Sequence, residues 1–208
     1  MGIYIRREKV MKIFKFNLLL IIVMLIINGC INNSQKVLTQ NENNKINVKM
    51  IAVLPVVNKT SDSKTAQLLR SKLLEEIYYK GYSKIPLEEI DKKLESLSIN
   101  LNNEKTSEIA PESLRDLVGA DAGLYCTLTE NNNFKIFYET VKITAFCALR
   151  NTVNGETVWN AKSESERRSF NFTAKGMKKK LGEDFDAIID EIINEIIKTL
   201  PDGPNLLT

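Results

Sequence analysis

The sequence predicts an α/β domain: a single mixed sheet with a β-α-β start, an antiparallel meander and a C-terminal amphipathic helix. Three observations carry this. A nearly continuous apolar run, Val48 to Val57, precedes Ala66, Leu69, Leu73 and Ile77 at helical spacing, and then the short strand pattern Tyr82 to Ile85. Apolar and polar residues alternate in Leu124 to Thr129 and in Val141 to Leu149, and Asn154-Gly155 separates the latter from Glu156 to Ala161. Finally, Glu183 to Leu200 carries Phe185, Ile188, Ile189, Ile192, Ile193, Ile196, Ile197 and Leu200 on a broad helical stripe.

Each element has its own punctuation. Pro55 cannot donate to a ladder, so the end of the first strand is expected to bend or to lie at an edge. Asn58 to Lys64 reads as a polar loop, and Gly81 as the left-handed cap of the first helix. Pro86 opens a second helix with Leu87, Ile90, Leu94 and Leu97 on one face, followed by a polar connection from Asn100 to Ser107. Pro111 starts a short helix that carries Leu114, Leu117 and Val118 and stops at Gly119. Asn131 to Asn133 is expected to turn the chain, with Phe134 to Tyr138 extending the following strand. Asn154-Gly155 is the signature of a two-residue hairpin turn. Lys162 to Lys180 reads as a loop leading to the last helix, which Lys198 and Pro201 close. The apolar stripe of that helix covers about 180° at 100° per residue, which suits either deep packing between sheet and helix or a partly subunit-facing helix.

The N-terminus is organised differently. Of the 208 residues, the first 29 contain five bases against one acid, so without them the formal charge falls from +3 to −1. A near-neutral remainder argues against binding nucleic acid by broad phosphate neutralisation. The bases up to Lys15 are followed by ten apolar residues, Leu18 to Ile27, and by Asn28, Gly29 and Cys30, in the order of a signal peptide. Ten helical residues rise about 15 Å, half of a hydrocarbon core of about 30 Å, too short for a permanent span. Met11 is an alternative start, since a complete signal sequence follows it. From Ile31 to Ile46 five Asn, two Gln, one Ser and one Thr dominate, a flexible tether with a mean span of about 20 to 24 Å. The expected organisation is therefore a signal peptide over 1–29, a lipidated Cys and tether over 30–46, an α/β domain over 47–201 and a tail over 202–208.

Little in the domain reads as catalytic. The chain has no His, which excludes His-based triads, Cys-His dyads and most catalytic zinc sites. Phosphate-cradling Gly loops and Gly-x-Ser-x-Gly elbows are absent from the sequence as well. Asp62, Asp91 and Asp121 are isolated acids that suit caps and turns. Cys126 and Cys147 fall on core-facing sides of their strands, either as two buried thiols or as a disulfide where the strands are adjacent and in register. Arg167, Arg168, Lys175 and Lys178 to Lys180, interleaved with Phe170 and Phe172, suit either a solvated loop or contact with anionic headgroups or an acidic partner. No cofactor, no metal and no enzymatic activity are expected.

Ile27-Asn28-Gly29-Cys30 resembles the lipobox of bacterial lipoproteins. That resemblance implies cleavage between Gly29 and Cys30 and acylation of Cys30, palmitate-type chains included; several acyl chains, at about 0.8 kcal/mol per buried methylene, hold a protein stably on a membrane. Ile31 rather than Asp after the lipidated Cys resembles the pattern of transfer to the outer membrane. Three further stretches, Ile51-Ala52-Val53-Leu54-Pro55 with Asn58, Glu112 to Tyr125 ending in Gly119-Ala120-Asp121-Ala122-Gly123-Leu124-Tyr125, and Asn154-Gly155-Glu156-Thr157-Val158-Trp159, resemble in order and spacing a family of bacterial lipoproteins that includes a neisserial surface-antigen lipoprotein. The chain departs from it at Val56, where a second Pro is usual, and in its Lys-rich stretch before the last helix.

This resemblance implies an α/β domain similar to the amino-terminal domain of TolB, to the curli secretion lipoprotein and to the activator lipoproteins of penicillin-binding proteins. It also implies dimers, and a non-catalytic role as an auxiliary of ABC-type transport at the periplasmic side of the outer membrane, with envelope proteins, transporter components among them, as partners. A regulator of peptidoglycan synthesis is the second expectation, and a hydrolase of envelope material is the third.

Overall fold

The computed structural model describes residues 48–96, 109–135, 138–169 and 174–206. Its element order is β1 (Met50–Val53), β2 (Val57–Lys59), α1 (Thr65–Tyr79), β3 (Ser83–Lys84), α2 (Leu87–Ser96), α3 (Pro111–Val118), β4 (Ala122–Lys135), β5 (Tyr138–Asn151), β6 (Thr157–Ser169) and α4 (Ala174–Thr199). A 3-10 turn, Pro204–Leu206, follows. The six strands form one mixed sheet in the order β3-β1-β4-β5-β6, with β2 also paired to β4. β1 runs parallel to β3 and β4, and β4, β5 and β6 are antiparallel, so the predicted α/β class with its β-α-β start and meander is the observed one.

The expected single strand from Val48 to Val57 is divided. Val53 pairs with Leu124 and Val57 with Thr127, so three residues, Leu54 to Val56, stand opposite two. The extra residue falls around Pro55, which has no N–H to give, and the chain resumes along the same edge of β4 as β2.

Alternation along the strands divides the core between the two sheet faces. Ile51, Val53, Leu124, Cys126, Leu128, Ile143, Cys147 and Leu149 pack with α1 and α4. Ala52, Leu54 and Tyr125 point the other way, to Ile90 and Leu94 of α2 and Leu114 of α3. The broad apolar arc of α4 is thereby accounted for: Ile188, Ile189, Ile192, Ile193 and Ile196 are all buried in the cluster shared with α1 and the sheet.

Three other expectations shift. Asn131 to Asn133 do not turn the chain; they continue β4, pairing with Lys142, Val141 and Thr140, and the reversal comes between Lys135 and Tyr138. Their side chains are exposed, so polar residues cost the strand nothing there. The β5–β6 turn is longer than two residues, because Asn151 N–H donates to Glu156 O (2.9 Å) and Gly155, at φ +69°, closes it with N–H to Asn151 O (3.0 Å). Lys162 to Ser169 is not loop but the second half of β6, and α4 starts at Ala174. There the buried face is carried by Ala161, Ser163 and Ser165, small side chains that let α4 approach.

Arg70 of α1 holds the two faces together. β3 covers only Met50 and Ile51, which leaves the edge of β1 open at Val53. Arg70, buried, donates from Nε (3.1 Å) and Nη2 (3.0 Å) to Val53 O, and from Nη1 to Asp91 Oδ2 of α2 (2.9 Å). Its Nη2 also stands 2.7 Å from Asp91 Oδ1. Removing one partner of a buried pair costs about 3–5 kcal/mol. Asp91 is 31% exposed here, so Arg70→Ala should lose about 2–3 kcal/mol in urea unfolding. Arg70→Lys should recover less than half of that, since a single ammonium nitrogen cannot reproduce the contacts that the three guanidinium nitrogens make to Val53 O and Asp91; wild-type stability in either variant would contradict this role.

Candidate functional site

Gly29 and Cys30, the expected cleavage and lipid-attachment residues, lie outside the described residues, as does the tether. Just after Val48, the first described residue, Asp121 holds the chain: its Oδ2 accepts from Lys49 N–H (2.9 Å) and Met50 N–H (3.0 Å). Thr152 in the β5–β6 turn donates its hydroxyl to Ala120 O (2.7 Å) and its N–H to Asp121 O (3.0 Å). The other isolated acids are equally structural. Asp62 Oδ2 accepts from Thr65 Oγ1 (2.7 Å) at the start of α1, and Asp91 pairs with Arg70.

Cys126 and Cys147 are direct register partners on β4 and β5. Both are buried in the cluster beneath α1 and α4, and the structure joins them, Sγ to Sγ 2.02 Å and Cα to Cα 4.2 Å. The bridge spans 21 residues, for which loop-closure entropy alone corresponds to about 3 kcal/mol. A bridged pair offers neither a nucleophile nor a metal ligand, and among the described residues no group of three or more Cys, Asp or Glu could hold a metal ion.

The basic residues of β6 are paired in place, Arg168 Nε standing 3.2 Å from Glu166 Oε1 and Lys162 Nζ 3.8 Å from Glu164 Oε2, and so is Lys142 of the neighbouring β5. Arg167 Nη2 lies 2.8 Å from Glu191 Oε2 of α4, and Lys142 Nζ lies 2.8 Å from Glu164 Oε1. The hydrogen bond from Ser165 Oγ (2.7 Å), assisted by Arg167, holds the Glu191 carboxyl below the usual range against the opposing effect of partial burial. The side chains of Lys175 and Lys178 to Lys180 are outside what the structure describes.

Among the described residues, α1, α4 and the start of α2 border an open trough of about 990 Å³. Leu74, Leu87 and Ile193 form its apolar lining. Its rim sets four carboxylates, Glu75, Glu76, Glu88 and Asp190, against the ammonium groups of Lys72 and Lys84. Lys72 pairs with Asp190, and Lys84 Nζ sits 3.1 Å from Glu75 Oε1. Ser71, the one hydroxyl on the rim, spends its proton on Leu68 O (3.1 Å), with no base arranged to activate it. An apolar floor under an acidic rim suits a basic, amphipathic protein segment. Sequence reasoning did not find this trough, because it forms from three elements far apart in the chain.

The geometry defines a class: a mixed-sheet α/β domain, disulfide-clasped and with the start of its first strand held by Asp121. A family model described as "Putative lipoprotein GNA1162-like" matches residues 39–204, and the chain belongs to that family of lipoproteins. A curated relative, "Putative lipoprotein NMB1124/NMB1162" of Neisseria meningitidis serogroup B, is 25% identical over 153 residues, 73% of this chain and 67% of that protein. The crystal structure of lipoprotein GNA1162 from Neisseria meningitidis superposes with a TM-score of 0.53 at 20% identity, covering 70% of this chain and 99% of that one. A PelC dodecamer from Paraburkholderia phytofirmans gives a TM-score of 0.46 at 13% identity, over 80% of this chain and 99% of that one. Membership makes the protein a membrane-anchored lipoprotein by class.

Two buried tyrosines tie distant segments: Tyr82 donates its hydroxyl to Pro201 O (3.0 Å) and Tyr125 to Ile109 O (2.8 Å). Burial, helped by Asp202, pushes Tyr82 from 10.0 to about 12. Burial also raises Tyr125 to about 12, with Arg150 opposing and Glu112 assisting. Each folded-state value lies above its unfolded one for a group that charges on losing a proton. The stabilisation is therefore complete below pH 10 and is lost as pH rises from 10 to 12. Denaturant midpoints should fall across that window, and Tyr82→Phe should flatten the fall while costing about 1 kcal/mol at neutral pH for the lost hydrogen bond. A wild-type midpoint constant from pH 10 to 12 would contradict this.

Proposed function

We propose that this lipoprotein is a non-catalytic adaptor of the bacterial envelope: Cys30 carries the lipid, the domain faces the periplasm from the outer membrane, and it serves as an auxiliary of ABC-type transport. The family match over residues 39–204 carries the reading, because it begins nine residues beyond the lipobox-like Cys30. The site chemistry is consistent with it. The trough offers an apolar floor and an acidic rim to a protein segment, and the domain's buried polar side chains are occupied in holding the fold. Assembly into a homodimer belongs to the same proposal.

The anchor is tested with Cys30→Ala in cells fed a labelled fatty acid. The expected outcome is an uncleaved precursor without label that is lost from the outer-membrane fraction. Normal acylation and fractionation of the variant would overturn the assignment of Cys30.

A further inference from the structure

Five large apolar side chains are exposed among the described residues: Tyr78, Tyr79, Phe146, Val153 and Leu206. All but Phe146 lie at one pole of the domain. Tyr78 and Tyr79 end α1, and the following Lys80 and Gly81 carbonyls accept from Gly203 N–H (2.7 Å) and Asn205 N–H (3.1 Å), which sets Leu206 beside them. β3 begins immediately afterwards, and its Ser83 pairs with Met50 at the start of β1. Ile51 pairs with Ala122, and Ala122 with Asn151, the last residue of β5 before the turn that carries Val153. Adjacent strands lie about 4.8 Å apart, so these positions run across the one end of the sheet where β1 begins.

That is also the end where Val48, the first described residue, lies. Cys30 precedes Val48 by 18 positions, so the length of chain that follows the expected anchor ends at this pole. At up to about 3.3 Å per residue, that length of chain is enough for the pole to meet the surface in which Cys30 would be anchored. The exposed groups have the chemistry of a bilayer interface: Tyr79 is 67% exposed, Val153 65%, Tyr78 52% and Leu206 52%, with the exposed Lys49 among them. Tyrosines place an apolar ring and a polar hydroxyl at headgroup depth, and lysine favours anionic headgroups. Lys80 is neutralised by Asp202 (2.9 Å), so the contact would be chiefly apolar and interfacial. No described helix is long and apolar enough to cross a membrane.

We infer that this pole rests on the lipid surface that holds the anchor, with Tyr79, Val153 and Leu206 at headgroup level. The inference rests on the anchoring reading above. It fixes which way the domain faces: the loop after β2 and the distal β4–β5 hairpin point away from the membrane, and the trough opens at the side.

The full-length lipidated protein, reconstituted in phosphatidylethanolamine and phosphatidylglycerol vesicles doped with a nitroxide-headgroup lipid, tests this. Tyr79→Trp and Val153→Trp report from two separate elements of the pole. Asn132→Trp reports from ten residues further along β4 than Ala122, roughly 33 Å away. The wild type supplies the baseline of the buried Trp159. Emission of the two polar-end reporters should fall about twofold relative to Asn132→Trp, as for an aromatic at the interface. Equal quenching at all three positions, or none while the protein still floats with the vesicles, would overturn the inference and leave the anchor standing. Failure to float would remove the anchor and the inference with it. Emission that shifts to the blue with protein concentration and ignores the quencher would place a second copy on this pole instead, and would also overturn it.

Discussion

The fold depends on closing an edge that the sheet itself leaves open. β3 is two residues long, so the β1 strand between β3 and β4 loses its partner on one side before it ends. An unpaired carbonyl in that position is costly unless something donates to it. Arg70 does so with two of its nitrogens and turns its third to Asp91, so one side chain on α1 satisfies β1 and grips α2 on the opposite face. The bulge at Pro55 follows at once, and the chain resumes beside β4 as β2. The two helical layers are thereby locked to the same short segment of sheet.

A second knot holds the opposite end of β1. Asp121 and Thr152 bind the start of β1, the start of β4 and the β5–β6 turn to one another through their own backbone and side-chain groups. The disulfide between Cys126 and Cys147 then fixes the β4–β5 register four residues into the ladder from Ala122. The trough, formed by α1, α4 and the start of α2, inherits its shape from the same framework.

The sequence made much of this legible. Gly81 and Gly119, both at positive φ in the structure, mark the helix ends, and the isoleucine pattern marks the buried stripe of α4. Where the residues did not announce the structure, the reason is physical. The second half of β6 presents Ser163 and Ser165 to α4, so its buried face looks as polar as its exposed one. Asn131 to Asn133 lie beyond the β2 pairing, on the open edge of β4, and their own side chains are exposed, so turn-forming residues are tolerated there. The Arg70–Asp91 pair joins positions 21 apart, with no local signal to distinguish either from a surface charge. The family, by contrast, was readable from short stretches around Pro55, Gly119 to Tyr125 and Asn154 to Trp159, because these build the bulge, the entry knot and the turn.

The central proposal is that the domain serves ABC-type transport by holding a transporter component. In-cell photo-crosslinking from Glu76 and Glu88 on the trough rim, followed by mass-spectrometric identification of the captured chain, tests it most directly. The account predicts capture of a component of an ABC-type transporter through a basic segment, abolished by charge reversal of the rim. Capture of a peptidoglycan synthase, or of nothing but a second copy of the chain, would contradict it.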